Sequence, residues 1–132
     1  MAISKTDILE EARAYFIPFI LGDNSASHRL SRTIYRKYKI TSLILDVKMT
    51  PLDVFDTSSK FLQIADIQSP ELFAYQLIDL AQLSEYTLPL LIPCNEKYAS
   101  MLKAERELLE STFVITSPEL LLTSSPLGVI PL

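Results

Sequence analysis

The residues with the greatest capacity to bind a ligand or do chemistry follow apolar segments of the chain. They are Gly22, Asp23, Asn24, Ser25 and His28 after the first segment, Asp46 after the second, and Cys94 and Asn95 after a later one. Where a helix begins, its backbone N–H groups attract anions, so the turn at 22–25 predicts a site for a phosphate or a carboxylate. Side-chain capping of that helix is the alternative explanation for Asp23, Asn24 and Ser25.

Gly22 and Asp46 each allow two interpretations. Glycine permits a positive φ or the close approach of a ligand, but Gly22 could equally end a strand. Asp46 lies 24 positions after Gly22, near the spacing of the ribose-binding acid in dinucleotide folds. Capping of a turn is the simpler interpretation of Asp46.

His28 and Cys94 offer no complete catalytic set. His28 lies in the first turn of the predicted helix, where the macrodipole disfavours its protonated form; it either reaches a ligand or serves as a packing or solvent-facing side chain. Cys94 lies near a helix N-terminus, which lowers a thiol pKa, but no second histidine supports a Cys–His pair. We therefore predict no catalytic residue and no metal ligand, and we interpret Cys94 as loop packing or a wall of a crevice.

Composition excludes several classes of site. The only glycines are Gly22 and Gly128, so neither a G-x-G-x-x-G fingerprint nor a Walker A loop exists in these residues. One histidine and one cysteine exclude a multi-His site, a thiol cluster and an intramolecular disulfide. The net charge of -4 argues against a nucleic-acid partner, and no apolar run is long enough to span a membrane. We expect a cytoplasmic protein.

Strand and helix patterns alternate along the chain. Continuous apolar runs predict strands, and apolar residues at spacings of three and four predict helices. The predicted strands are 16–21, 42–47, 60–65, 88–92 and 112–116, and the predicted helices are 5–14, 25–39, a single turn after Thr50-Pro51, one from Ser69-Pro70, one after Asn95 and a turn at Ser117-Pro118.

This alternation predicts an α/β fold. We expect a Rossmann-like, three-layer domain over residues 1–132, with a mostly parallel five-stranded sheet in the order 3-2-1-4-5. The order reverses between strands one and four, so a crevice is expected there between the loops 22–25 and 93–95. The hydrophobic fraction of 48% indicates a sheet covered on both faces or a face that meets a partner.

Two segments of this pattern resemble a known family. They are Pro18-Phe19-Ile20-Leu21-Gly22-Asp23 through the helix to Ser42-Leu43-Ile44-Leu45, and Leu90-Leu91-Ile92-Pro93-Cys94-Asn95-Glu96 through Arg106-Glu107-Leu108-Leu109 to Phe113-Val114-Ile115. The chain resembles the N-terminal pre-ATP-grasp domain of ATP-grasp carboxylate–amine ligases, of the D-aspartate ligase and carbamoyl-phosphate-synthase-like group. Family members often carry a second glycine or small residue beside Gly22, where this chain has Asp23.

The resemblance implies a substrate-side domain that is not catalytic by itself. It would help to bind an amino-acid or carboxylate substrate and would pack against an ATP-grasp catalytic region supplied in cis or in trans. No residues of this sequence match the lysine, glutamate and asparagine ligands of that catalytic region. ATP and Mg²⁺ are implied for a complete ADP-forming ligase, and no cofactor is expected in these residues. The alternatives are a stand-alone binding or assembly module that dimerises through an apolar face, and a small nucleotide-binding enzyme.

Overall fold

The computed structural model describes residues 16–84 and 88–119. The strands are β1 (Phe16–Leu21), β2 (Ser42–Asp46), β3 (Ser59–Gln63), β4 (Leu88–Pro93) and β5 (Val114–Ile115). The α-helices are α1 (Ser25–Tyr38), α2 (Leu52–Phe55), α3 (Pro70–Ala81), α4 (Glu96–Ala104) and α5 (Arg106–Glu110), and a 3₁₀ turn follows α3 at Gln82–Ser84. The predicted helix at 5–14 and the apolar tail from Leu120 lie outside the described residues.

The strands form one parallel sheet in the order β3-β2-β1-β4-β5. β1 lies at the centre, pairing with β2 at Ile20–Ile44 and with β4 at Ile20–Ile92. The α/β class and the predicted strand order are therefore confirmed. β3 is an edge strand, as its partial alternation of apolar and polar residues predicts.

The strand side chains alternate between two cores, one on each face of the sheet. One core includes Phe19, Leu21, Leu45 and Leu91 and is covered by α3, α4 and α5. The other includes Ile20, Ile44 and Ile92 and is covered by α1 through Leu30 and Ile34. A central strand that is buried on both faces explains why 16–21 is a continuous apolar run.

Asparagine and serine begin three of the helices as predicted. The side chains of Asn24, Ser69 and Asn95 accept hydrogen bonds from the backbone N–H groups of Ser27, Leu72 and Tyr98. A threonine before a proline predicts Thr50 as the N-cap residue of α2, but this prediction was wrong, because the N-cap residue is Pro51 and no side-chain cap is formed. The Thr50 side chain instead bonds to Asp23.

Helical spacing places Ala26, Leu30, Ile34 and Tyr38 on one face of α1 and predicts a single helix after Asn95, and the structure corrects both predictions. Ala26 is exposed although its spacing predicts burial, and the buried positions of α1 are Ser27, His28, Leu30, Ser31 and Ile34. The apolar pattern after Asn95 continues to Leu109, but the backbone leaves helical geometry at Glu105 (φ -118°, ψ 31°) and two helices result. Arg29, Arg32 and Arg36 of α1 are exposed to solvent.

Within residues 16–84 and 88–119, the helices are all too short or too polar to cross a bilayer.

Candidate functional site

The loops after β1 and β4 meet at the carboxyl edge of the sheet, where the strand order reverses. Gly22 has a φ of +109°, a backbone conformation that residues other than glycine rarely adopt. A Cβ atom at Gly22 would lie 2.9 Å from Nδ2 of Asn95. The close approach that glycine permits is therefore made by Asn95 of the same chain, and this amide occupies space that we assigned to a crevice.

Asn24 links the same two loops. Its Oδ1 accepts a hydrogen bond from the backbone N–H of Ser27 (2.9 Å), and its Nδ2 donates to the carbonyl of Cys94 (3.0 Å). The backbone N–H of Cys94 in turn donates to the carbonyl of Leu21 (2.8 Å). One neutral side chain thus caps α1 and connects the turn after β1 to the turn after β4.

Asp46 holds the backbone of the first loop in place. Its Oδ2 accepts a hydrogen bond from the N–H of Asp23 (2.8 Å), and its Oδ1 accepts from the N–H of Val47 (2.7 Å) and the hydroxyl of Tyr98 (2.7 Å). Burial, together with the bond to Asp46, raises the pKa of Tyr98 above its ordinary value. Asp46 therefore acts as a backbone cap, the simpler of its two predicted interpretations.

Cys94 is mostly buried, and this environment opposes thiolate formation. Burial, with a smaller contribution from the charge of Glu119, raises the pKa of Cys94 to about 12. The expectation that the adjoining helix N-terminus lowers this pKa was wrong, because desolvation of the thiolate is the larger effect. Cys94 serves as a packing residue of the loop, which agrees with our preferred interpretation.

His28 is the centre of a buried charged cluster. Its Nε2 lies 2.7 Å from Oδ1 of Asp23 and 3.2 Å from Oδ1 of Asp53, while its Nδ1 lies 2.5 Å from Oδ2 of Asp56. The side chains of all four residues are at most 3% exposed. We call His28, Asp23, Asp53 and Asp56 the histidine cluster.

The cluster joins the start of α1 to residues 47–58, which connect β2 to β3 and which we call the crossover. Thr50 donates its backbone N–H to the carboxylates of Asp23 and Asp53, at 3.1 Å and 2.9 Å, and its hydroxyl to Asp23 at 3.0 Å. Asp56 accepts from the N–H and hydroxyl of Ser58, and the Ser31 hydroxyl on α1 donates to the carbonyl of Ser58. These polar contacts fasten the crossover to α1.

The environment of His28 overturns the expectation that its charged form is disfavoured. Burial lowers the pKa of His28, but hydrogen bonds and charge from Asp56 and Asp23 outweigh burial and raise this pKa overall. Burial alone would raise the pKa values of Asp23 and Asp56, yet their hydrogen bonds lower both. Two carboxylates on opposite ring nitrogens are the partners that an imidazolium requires, so the cluster favours the protonated form of His28.

Asp53 behaves differently from the other two carboxylates. Burial, together with the neighbouring Asp23, raises the pKa of Asp53, because two adjacent carboxylates repel each other when both are ionised. The histidine cluster can therefore hold an additional proton, or another cation, between Asp23 and Asp53.

The predicted site residues fall into two groups in the structure. Gly22, Asn24, Cys94 and Asn95 meet in the neutral contact between the loops after β1 and β4, while Asp23 and His28 belong to the histidine cluster. Asp46 lies between the groups through its bond to the N–H of Asp23. Ser25 is exposed at the first position of α1.

Sequence analysis missed Asp53 and Asp56 as partners of His28, and it missed Thr50 as a donor to Asp23 and Asp53. One available signal was the strand order, since consecutive right-handed crossovers from β1 to β2 and from β2 to β3 lie on the same face of the sheet. That rule places the crossover beside α1. It does not give the register between the two, which brings Asp53 and Asp56 to the two ring nitrogens of His28.

A search with models of protein families finds no match to this chain. Searches of curated proteins and of solved structures likewise find none.

Proposed function

We propose that this chain is the substrate-side domain of an ATP-grasp, ADP-forming carboxylate–amine ligase, with the ATP- and Mg²⁺-binding region supplied in cis or in trans. The observation that supports the proposal is the reversal of strand order between β1 and β4. It brings the N-termini of α1 and α4 to the same edge of the sheet, where open α/β sheets bind ligands. The backbone N–H groups at a helix N-terminus attract a carboxylate, and of these two helices only α1 has no acidic residue in its first turn.

Ser25 is the residue through which a carboxylate would approach α1. It is exposed, it opens the helix, and no acidic residue lies in the first turn of α1. The neighbouring Asn24 is neutral, whereas α4 carries the exposed Glu96 at its first position, so the start of α1 is the one that does not repel a substrate anion. In this proposal the buried Asp23 shapes the loop through His28 and Thr50 and does not contact the substrate.

The test is a steady-state assay of the natural polypeptide from its own cells, following ADP release with ATP, Mg²⁺ and a panel of carboxylates and amines. We expect Ser25→Glu to raise KM for the carboxylate at least about tenfold, equivalent to about 1.4 kcal/mol of repulsion, with KM for ATP unchanged. A negative charge in the first turn also favours the helix, so the variant should fold.

Gln82→Glu is the matched control. It adds the same charge at an exposed position after α3, which lies at the opposite edge of the sheet. This variant should retain the wild-type KM for every substrate. Absence of ADP release with every pair of substrates, or an equal effect of the two glutamates, would contradict the proposed function.

A stand-alone assembly module is the second candidate function, favoured by an apolar patch on the crossover. Met49, Val54 and Phe55 are 59%, 74% and 84% exposed, and large exposed apolar side chains grouped in one segment are typical of sites of protein association. If the chain dimerises through this patch, Phe55→Ser should abolish the dimer in sedimentation velocity. Leu83→Ser, a control at an equally exposed residue, should leave it intact. A monomer at high concentration would exclude this candidate.

A further inference from the structure

The histidine cluster carries more negative than positive charge. Three carboxylates surround one histidine ring, so the groups that can carry a negative charge outnumber the one that can carry a positive charge by two. Lysine and arginine do not supply the balance, because their ion pairs in the described part of the chain are Lys97–Asp66 and Arg106–Glu110, both on the surface. Buried charges of one sign require a counter-charge.

One oxygen of the cluster has no hydrogen-bond donor. Oδ1 of Asp53 is buried and unpartnered, while Oδ2 of the same carboxylate accepts from the backbone of Thr50. His28 Nε2 is 3.2 Å from this oxygen, but its single N–H makes its hydrogen bond to Asp23. A buried, unpartnered carboxylate oxygen that lies 3.2 Å from a ring nitrogen can serve as a ligand to a cation.

We propose that Nε2 of His28, Oδ1 of Asp23 and Oδ1 of Asp53 bind one divalent first-row transition-metal ion of the Zn²⁺ class. One ligand atom from each of these three residues lies within 4.8 Å of the other two. Tetrahedral zinc with bonds of about 2.0–2.1 Å separates its ligand atoms by about 3.3 Å, so the observed spacings of 2.7 Å and 3.2 Å require shifts of less than about 1 Å. This proposal is independent of the proposed ligase function and departs from our expectation of no metal.

The position of Asp56 favours a transition metal over Ca²⁺ or Mg²⁺. Metal-binding histidines commonly donate their second ring N–H to a carboxylate, and Nδ1 of His28 faces Oδ2 of Asp56 at 2.5 Å. An imidazole nitrogen is a preferred ligand of zinc-class ions, whereas Ca²⁺ and Mg²⁺ take oxygen ligands. Asp56 therefore orients the ring and keeps the proton on Nδ1 while Nε2 binds the ion.

Binding exchanges protons for the metal ion. The ion replaces the proton on Nε2 of His28, which is released to solvent, and Asp53 releases its proton as well if it is protonated. After binding, the cluster consists of three carboxylates, a neutral imidazole and a divalent cation. The ion joins the start of α1 to the crossover, so its expected role is to stabilise the fold.

Equilibrium dialysis of the full chain against Zn²⁺, followed by mass-spectrometric metal analysis, tests the proposal. We expect one tightly bound Zn²⁺ per chain, a higher melting temperature with Zn²⁺, and release of at least one proton in titrations that compare buffers of different ionisation enthalpy. Asp53→Asn should weaken binding by about 100-fold or more, because it removes a direct ligand. Asparagine keeps the shape of the side chain, and the oxygen that changes makes no hydrogen bond.

Asp66→Asn is the matched control, since it removes one carboxylate from a residue with a side chain that is 55% exposed. It should leave Zn²⁺ binding, the rise in melting temperature and proton release unchanged. Absence of bound Zn²⁺ in the wild-type chain would overturn the proposal. Equal Zn²⁺ affinity of the wild type and Asp53→Asn would also overturn it, because the ion would then be bound by groups outside the histidine cluster.

Discussion

The loop after β1 makes two contacts of opposite chemical character. Toward β4 it meets neutral amides, with Asn24 donating to the carbonyl of Cys94 and Asn95 packed against Gly22. Toward β2 and the crossover it meets ionisable groups that surround His28. The first contact depends on shape and neutral hydrogen bonds, whereas the second depends on protons and charge. The two sides of one strand should therefore respond differently to mutation and to pH.

Loss of His28 should have the largest effect on stability. His28→Asn leaves Asp23, Asp53 and Asp56 buried without a positive charge, and we expect a loss of about 3–5 kcal/mol in the free energy of unfolding. Urea denaturation at neutral pH, in a buffer with a metal chelator, measures this loss. Arg29→Ala, at the next and exposed position, should cost less than about 0.5 kcal/mol. A His28→Asn variant as stable as Arg29→Ala would show that the charged contact is dispensable.

Gly22→Ala should have the next largest effect, on the neutral side. The substituted residue would keep a φ of +109° and place its Cβ 2.9 Å from Asn95 Nδ2, which together cost about 2 kcal/mol. The double variant with Asn95→Ser separates the two causes, because serine still caps α4 but lacks the amide. If the contact matters, Gly22→Ala should cost less in the Asn95→Ser background. An unchanged cost would assign the whole effect to backbone conformation.

The fold was largely predictable because its signals are local. The apolar run at 16–21, the caps at Ser69 and Asn95 and the alternation of strands with helices each depend on residues close together in sequence. Right-handed crossover then limits the ways of arranging the strands. The break at Glu105 escaped prediction because the apolar spacing continues through it, and periodicity reports which face is buried and not whether the backbone hydrogen bonds continue.

Sequence analysis identified Asp23 and His28 as candidates on the charged side, but the contacts of the site were predictable only on its neutral side. Asn24 and Asn95 cap their own helices, so nearby sequence reveals them. The charged side required knowing which of 16 acidic residues approach a single histidine, and Asp53 and Asp56 lie 25 and 28 positions beyond His28. The macrodipole argument for a neutral His28 was wrong because two carboxylates in direct contact outweigh the partial charge of a helix end.

The pH dependence of stability should distinguish the two contacts. Because the pKa of His28 is raised above its ordinary value of 6.5, protonated His28 stabilises the fold fully when the pH is below 6.5. This contribution is lost as the pH rises toward the pKa of His28 in the folded protein. Because the pKa values of Asp23 and Asp56 are lowered below 3.8, their carboxylates stabilise the fold when the pH is above 3.8. This contribution is lost as the pH falls below 3.8. The raised pKa of Asp53 has the opposite sign, so its contribution declines as pH rises above 3.8.

Stability should consequently be greatest at mildly acidic pH and should fall by up to about 1.4 kcal/mol per pH unit above 6.5. Urea denaturation midpoints across this range measure the slope. His28→Asn should lose the slope, whereas Gly22→Ala should keep it, because the neutral contact involves no titrating group in this range. A flat wild-type profile would contradict the assignment of a charged His28.

Asn24 should give the smallest effect and resolves the neutral contact into two parts. Asn24→Ala removes both the cap of α1 and the hydrogen bond to Cys94, and we expect a loss of about 1–2 kcal/mol. Asn24→Ser keeps a capping oxygen but cannot donate an amide N–H to the loop after β4, so it should lose only about 0.5–1 kcal/mol. Urea denaturation gives both values. Equal losses in the two variants would mean that Asn24 stabilises the fold through the bond between the loops. An Asn24→Ser variant as stable as the wild type would mean that Asn24 acts only as a cap.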